Sequence, residues 1–211
     1  MQACADMPVL LSYALANRWK HALRGYVQSF SRTLVDSGAF SVMQSGARVD
    51  VEAYADWAEP WYAEADAVAG LDDIEGDYEK SLRNYEAMPR AFPTYHDSDP
   101  PELLEDLVEL ARERGSWLGI GVVPPRKGKS RFLEETLDRI PHDVHVHGWA
   151  LYSYSGEKLF RDHPSVSFDS TSWFRSAMDI RNYNRCKHLN YGECLEIVVK
   201  MYQRRGRMPC R

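Results

Sequence analysis

With 211 residues, 44% hydrophobic and 27% charged, the chain fits one globular domain spanning 1–211 with a sizeable core, and argues against two. A net charge of −5 argues against a protein that coats nucleic acid. The apolar stretch 7–15 is too short to cross a bilayer and only residues 1–6, without a basic side chain, precede it, so neither a signal peptide nor a membrane anchor is expected.

In chain order, residues 9–14, 33–35 and 67–71 read as short apolar or β-branched strands, and 91–95, 117–122, 144–146 and 166–168 continue the series. Helical spacing fills the intervals, over 50–64, 77–88, 100–114 and 131–139. It is clearest in 100–114, where Leu103, Leu104, Leu107, Val108 and Ala111 share a face. Asp99 before Pro100 and Pro101 marks the start of that helix and Gly115 its stop. Residues 123–128 read as a loop.

Seven strands alternating with helices predict an α/β fold with a parallel sheet, because parallel neighbours need crossover connections. A compact (β/α)8 TIM-type barrel is the first expectation and an open doubly wound sheet the alternative, although no Gly-rich phosphate loop follows the first strand. The chain is shorter than the ~250 residues usual for such barrels. Helices must then be trimmed or the eighth strand degenerate, with 182–187 its expected place.

Charge is unevenly spread. From Arg175 onward nine Lys and Arg face three Asp and Glu, so a basic C-terminal helical segment follows an acidic body. Such a segment could bind phosphates or form the solvated face of a last helix. Cys4, Cys186, Cys194 and Cys210 have no paired spacing, which predicts reduced thiols in a cytoplasm.

The strand ends carry the chemistry. In a parallel barrel they converge on one face, and here they read Asp36, Asp72, His96, the turn Gly119 to Gly121, His147 with Gly148, and Asp169. Asp36 and Asp169 each follow an apolar strand and precede small polar residues, an arrangement that offers two acids to one pocket. Such a pair suits chemistry at a glycosidic carbon, where one carboxylate attacks and another group moves protons. Capping of the following helix is the competing reading for either aspartate. Asp72 suits recognition of a guanine-like edge, since a carboxylate accepts two donors in parallel. Phe40 and His147 offer flat faces for stacking, while Gly38, Gly119 and Gly121 would let a planar ligand approach the backbone.

Two metal readings compete. His145 and His147, two apart on one strand, could join Asp36 or Asp169 in a metal-dependent hydrolase site. Cys186, His188, Cys194 and Cys210 could gather on zinc, but their spacing matches no compact zinc pattern.

The runs Asp36-Ser37-Gly38-Ala39-Phe40-Ser41 and Phe168-Asp169-Ser170-Thr171-Ser172-Trp173 resemble the tRNA-guanine transglycosylase superfamily. The similarity is nearest to its short branch, the 7-deazaguanine DNA transglycosylases of bacterial and phage systems. It runs in order through Gly70-Leu71-Asp72, Pro93-Thr94-Tyr95-His96, Gly119-Ile120-Gly121 and Val146-His147-Gly148. The resemblance implies a (β/α) barrel that exchanges guanine in a polynucleotide for a 7-deazaguanine without cutting the strand. It implies Asp169 as the nucleophile, Asp36 as the general acid/base, Phe40 as the stacking aromatic, Ser37 and Asp72 as base readers, and His147 as the opposite wall. His96 stands where the tRNA enzymes usually place a glutamine. Those enzymes also carry a zinc subdomain of three closely spaced cysteines and a histidine, a spacing this chain lacks, and the chain is much shorter. Both departures point to DNA as the partner, with tRNA or a non-catalytic nucleic-acid-binding role as alternatives. No redox cofactor or nucleoside triphosphate is expected. Arg126, Lys127, Lys129, Arg175, Arg181 and Arg185 are the candidate phosphate contacts.

Overall fold

The computed structural model describes residues 8–17, 30–43, 46–122, 129–149, 163 and 165–169. Their elements alternate as expected: β1 (Pro8–Ser12), α1 (Tyr13–Ala16), β2 (Arg32–Asp36), α2 (Ala39–Met43), α3 (Val51–Ala58), α4 (Trp61–Glu64) and β3 (Ala67–Val68). Then come α5 (Tyr78–Ala87), β4 (Thr94–His96), α6 (Leu103–Glu113), β5 (Leu118–Gly121), α7 (Lys129–Leu137), β6 (Val146–Gly148) and β7 (Val166–Phe168).

The strands form two parallel sheets, β1-β2-β3 and β4-β5-β6-β7, with neighbours in chain order. A parallel bridge between Ala69 and Phe92 links them, supported by Phe92 N–H to Val68 O at 2.9 Å and Gly70 N–H to Phe92 O at 2.8 Å. Pro93 follows Phe92 and has no N–H for a ladder, which accounts for β4 starting at Thr94 rather than at 91.

One side of the strands is covered by helices. Val35 and Val68 pack with Tyr54, Trp57 and Trp61 of α3 and α4. Leu118, Ile120, Val146 and Val166 pack with the α6 stripe, all five of whose expected members are buried. The other side carries Leu34 and Ala69 of the first sheet against Phe92, Trp117 and Trp149.

Several boundaries differ from expectation for local reasons. The helix expected over 50–64 is two, because Pro60 cannot donate the next helical hydrogen bond. Asp50 does cap the first, accepting from Ala53 N–H at 2.8 Å. Helix α6 starts after Glu102, without a side-chain cap, rather than behind Asp99. Pro100 and Pro101 offer Asp99 no N–H, and its carboxylate accepts from His96 N–H at 2.7 Å instead. Gly115 ends α6 with φ of +57°, a conformation that favours glycine. Strand β6 lies two residues later than expected, in register with Leu118–Ile120 and with β7, so His147 and Gly148 belong to it. No described helix is long and apolar enough to cross a membrane. The loop at 123–128, the eighth strand at 182–187 and the basic segment after Arg175 lie outside the described residues.

Candidate active site

Because the strands are parallel, their C-terminal ends share one edge, and the polar strand ends meet there. Ser12 pairs in register with Asp36, His96 with Gly121, and Gly148 with Phe168, directly before Asp169. The charges of Asp72 and Asp169 both act on Asp36, so three carboxylates from distant parts of the sequence share one environment.

Asp36 Oδ2 accepts Gly38 N–H at 3.0 Å, and Ser37 Oγ accepts Ala39 N–H at 3.2 Å, which ties both side chains to the backbone leading into α2. Gly38 has φ of +71°, and a Cβ there would collide with Ser12 Oγ and Ala14. Burial pushes the Asp36 carboxyl up, the neighbouring Asp72 and Asp169 charges push it further, and the Gly38 hydrogen bond only partly opposes them. The result is about 7. Phe40, on α2, leaves 44% of its surface exposed.

Asp72 follows the β3 bridge, on a turn that its neighbours tie down. Lys80 pairs with Asp73, Ser81 Oγ accepts Asp73 N–H at 2.7 Å, and Asn84 Nδ2 donates to Leu71 O at 3.0 Å. Tyr54, buried in the helix-side core, donates its hydroxyl to Ala69 O at 2.7 Å and holds the same strand end. Asp72 Oδ2 lies 2.9 Å from His96 Nε2. Burial works against the charged His96 ring, but its Asp72 hydrogen bond and the Asp72, Asp99 and Asp97 charges raise it overall.

His147 is only 4% exposed. Ser167 Oγ donates to Val146 O at 3.3 Å, leaving it to accept from His147 Nδ1 at 2.9 Å. His147 Nε2 has no hydrogen-bond partner among the described residues and lies 3.7 Å from Asp169 Oδ1. The ring lies at a steep angle to Trp149, with centroids 4.4 Å apart. His145 stacks on Trp117 at 3.9 Å and reaches Ser167 Oγ at 3.3 Å. Burial, then the Arg32 and His147 charges, lower it to about 4. Both imidazoles thus turn to Ser167, and the described residues hold no group of three His, Cys, Asp or Glu suited to a metal.

The glycines clear space for protein side chains. A Cβ at Gly119 would strike Thr94 and Trp149, whose Nε1 donates to Thr94 Oγ1 at 3.1 Å, and one at Gly121 would come within 2.5 Å of His96 Cδ2. The planar-ligand approach read at Gly119 and Gly121 is therefore occupied from within.

Sequence reasoning missed Ser12, whose buried Oγ has no partner among the described residues and sits beside Gly38. The signal was available, since Ser12 ends an apolar run as Asp36 does. Trp149 and Asp99 carry no comparable signal, the latter because Asp before Pro-Pro matches a helix start. Lys129 opens α7. Arg126, Lys127, Arg175, Arg181, Arg185 and the residues Cys186, His188, Cys194 and Cys210 lie outside the described residues. No protein-family model matches the chain, and no curated protein does.

Proposed function

We propose that the protein is a DNA-guanine transglycosylase that exchanges guanine in DNA for a 7-deazaguanine through a covalent aspartyl intermediate. The observation that carries this reading is Asp36, a carboxyl raised to about 7 beside Asp72 and Asp169. A group with that value gives and takes a proton at neutral pH. The ordered motif resemblance supplies the substrate class. The chain-order parallel strands, the Ala69–Phe92 bridge and the shared inner cluster support completion of the sheets as a closed (β/α)8 barrel.

In the first step an oxygen of the ionised Asp169 attacks C1′ of the target deoxynucleotide, and the C1′–N9 bond breaks. Guanine leaves with that electron pair and a proton from Asp36. In the second step Asp36 takes the N9 proton of the incoming 7-deazaguanine, whose N9 attacks C1′ and releases Asp169. Two inversions give net retention. The target nucleotide must be flipped or single-stranded to reach the pocket, and stacking on Phe40 offsets part of that cost. Asp72 accepts the donor edge of the base. Ser37 is buried and bonded to its own helix start, so its contribution to this reading is to fix the loop bearing Asp36.

The test is incubation with guanine-containing DNA, or with tRNA in a parallel reaction, and labelled 7-deazaguanines. Label is expected in DNA, with a denaturation-resistant protein–DNA adduct that Asp169→Asn abolishes. Label in tRNA alone would move the substrate to tRNA. Binding of DNA without adduct or label would leave a non-catalytic partner, and absence of transfer to either polymer would refute the exchange reaction.

A further inference from the structure

His96 sits in a more elaborate setting than a wall of the pocket requires. Its Nε2 is 2.9 Å from Asp72 Oδ2, its backbone N–H donates to Asp99 Oδ2 at 2.7 Å, and its Nδ1 lies 3.8 Å from that same Asp99 oxygen. The side chains of His96, Asp72 and Asp99 are all largely buried. The ring rests on the bare backbone of Gly121, where a Cβ would lie 2.7 Å from Nε2. The His96 Nε2–H donates to the Asp72 carboxylate oxygen.

We propose that His96 is the positioning residue for base recognition. It fixes the plane of the Asp72 carboxylate, so that Asp72 selects bases presenting paired donors, the N1–H and 2-amino groups of guanine and 7-deazaguanine. The inference rests on the assignment of Asp72 to the base edge made above.

The physical need is specific. The charge of Asp72 acts on both Asp36 and Asp99, so its carboxylate stands among other acids and needs a donor of its own to be held in one orientation. The His96 N–H supplies the compensating donor. It uses one lone pair of Oδ2 and leaves Oδ1 and the second lone pair of Oδ2 for the base. Gly121 and Asp99 hold the ring where this donation is maintained. The fixed carboxylate then discriminates against bases that lack the second donor, because a buried acceptor left unpaired is costly.

Equilibrium binding of 7-deazaguanine against 7-deazahypoxanthine, which lacks the 2-amino group, tests this without requiring turnover. Wild type is expected to prefer 7-deazaguanine by about tenfold or more, the worth of one hydrogen bond to a charged group. In His96→Ala the preference is expected to collapse to within about threefold, and His96→Gln, which keeps an N–H donor for Asp72, to recover part of it. Thermal unfolding of each variant identifies loss of folding, and Asp99→Asn, expected to weaken the preference less, provides the test should His96→Ala not fold. A folded His96→Ala protein with the wild-type preference would overturn the proposal, as would a wild type that binds neither base or binds both equally. A His96-dependent preference without label transfer to DNA or tRNA would overturn the exchange reaction and leave the positioning role standing.

Discussion

Asp36→Asn is expected to stabilise the protein at neutral pH while removing its proton carrier. In the unfolded chain the carboxyl ionises at its ordinary 3.8, whereas in the fold burial, then Asp72 and Asp169, raise it to about 7. Between those values the native state keeps a proton that the unfolded chain has released. Stability must therefore fall as pH rises through the window, and the loss is complete above the folded value. The limiting slope is about 1.4 kcal/mol per pH unit, so this one group is expected to remove about 2 kcal/mol between pH 5 and pH 7. For a chain of this length that corresponds to a fall in Tm of about 4–8 °C. Asparagine keeps an oxygen for Gly38 N–H but cannot ionise, so the variant lacks this contribution. The assay is thermal unfolding of both proteins from pH 5 to pH 8, read as the difference at each pH so that shared titrations cancel. Parallel curves, or a variant that loses stability above pH 5 as fast as wild type, would refute the raised carboxyl and with it the proton-carrier assignment.

Phe40→Ala is expected to change stability by about 1 kcal/mol or less, because the ring is already half exposed. The same variant should weaken binding of single-stranded DNA about tenfold, measured by fluorescence anisotropy, from the loss of one stacked base. Gly121→Ala should cost about 1–3 kcal/mol by denaturant titration, since the new methyl meets the His96 ring at 2.5 Å, and should weaken 7-deazaguanine binding as His96 shifts. Arg114→Met removes hydrogen bonds to the carbonyls of Tyr85, Met88 and Ala91, and is expected to lower stability by about 2–4 kcal/mol in the same titration. Joint replacement of Arg175, Arg181 and Arg185 by Gln should lower the salt dependence of single-stranded DNA binding, reducing the log–log slope by about 2, while leaving binding of the free base unchanged.

The strand series was legible because each strand is a short apolar run flanked by turn residues. The α6 stripe was legible for the same kind of reason: all five members of the expected face are buried. Boundaries were less so where one residue serves two roles. Asp99 looks like a cap in the sequence because Asp before Pro-Pro is a common helix start, yet proline's missing N–H frees its carboxylate for His96. His147 looks like a stacking ring because imidazoles are flat. Its Ser167 bond is made across strands, and spacing along one strand carries no trace of it, whereas Trp149, which the ring also meets, stands two residues further along the same chain. Gly119 and Gly121 were recognised as places where something approaches the backbone. What approaches is Thr94, Trp149 and His96, and only the ladder register that sets β4 and β6 beside β5 identifies them.

The polar strand ends hold buried groups that the protein leaves incompletely satisfied. Asp36 is a carboxyl held near neutrality, and Ser12 Oγ and His147 Nε2 are buried without partners among the described residues. All three sit at or beside the C-terminal strand ends, and the apolar cluster on the helix-covered side holds two more such groups, Trp57 Nε1 and Trp61 Nε1. What distinguishes the strand ends is that carboxyls gather there, and groups left incompletely satisfied by the protein are those a ligand can satisfy. The same edge is acidic, gathering Asp36, Asp72 and Asp169, so a polyanion gains nothing from it at long range. On the proposed reaction, recognition of the base and attraction of its backbone would therefore belong to different parts of the chain. The carboxylates suit the uncharged, donor-rich edge of a base, while the excess of Lys and Arg after Arg175 has the sign that phosphates require.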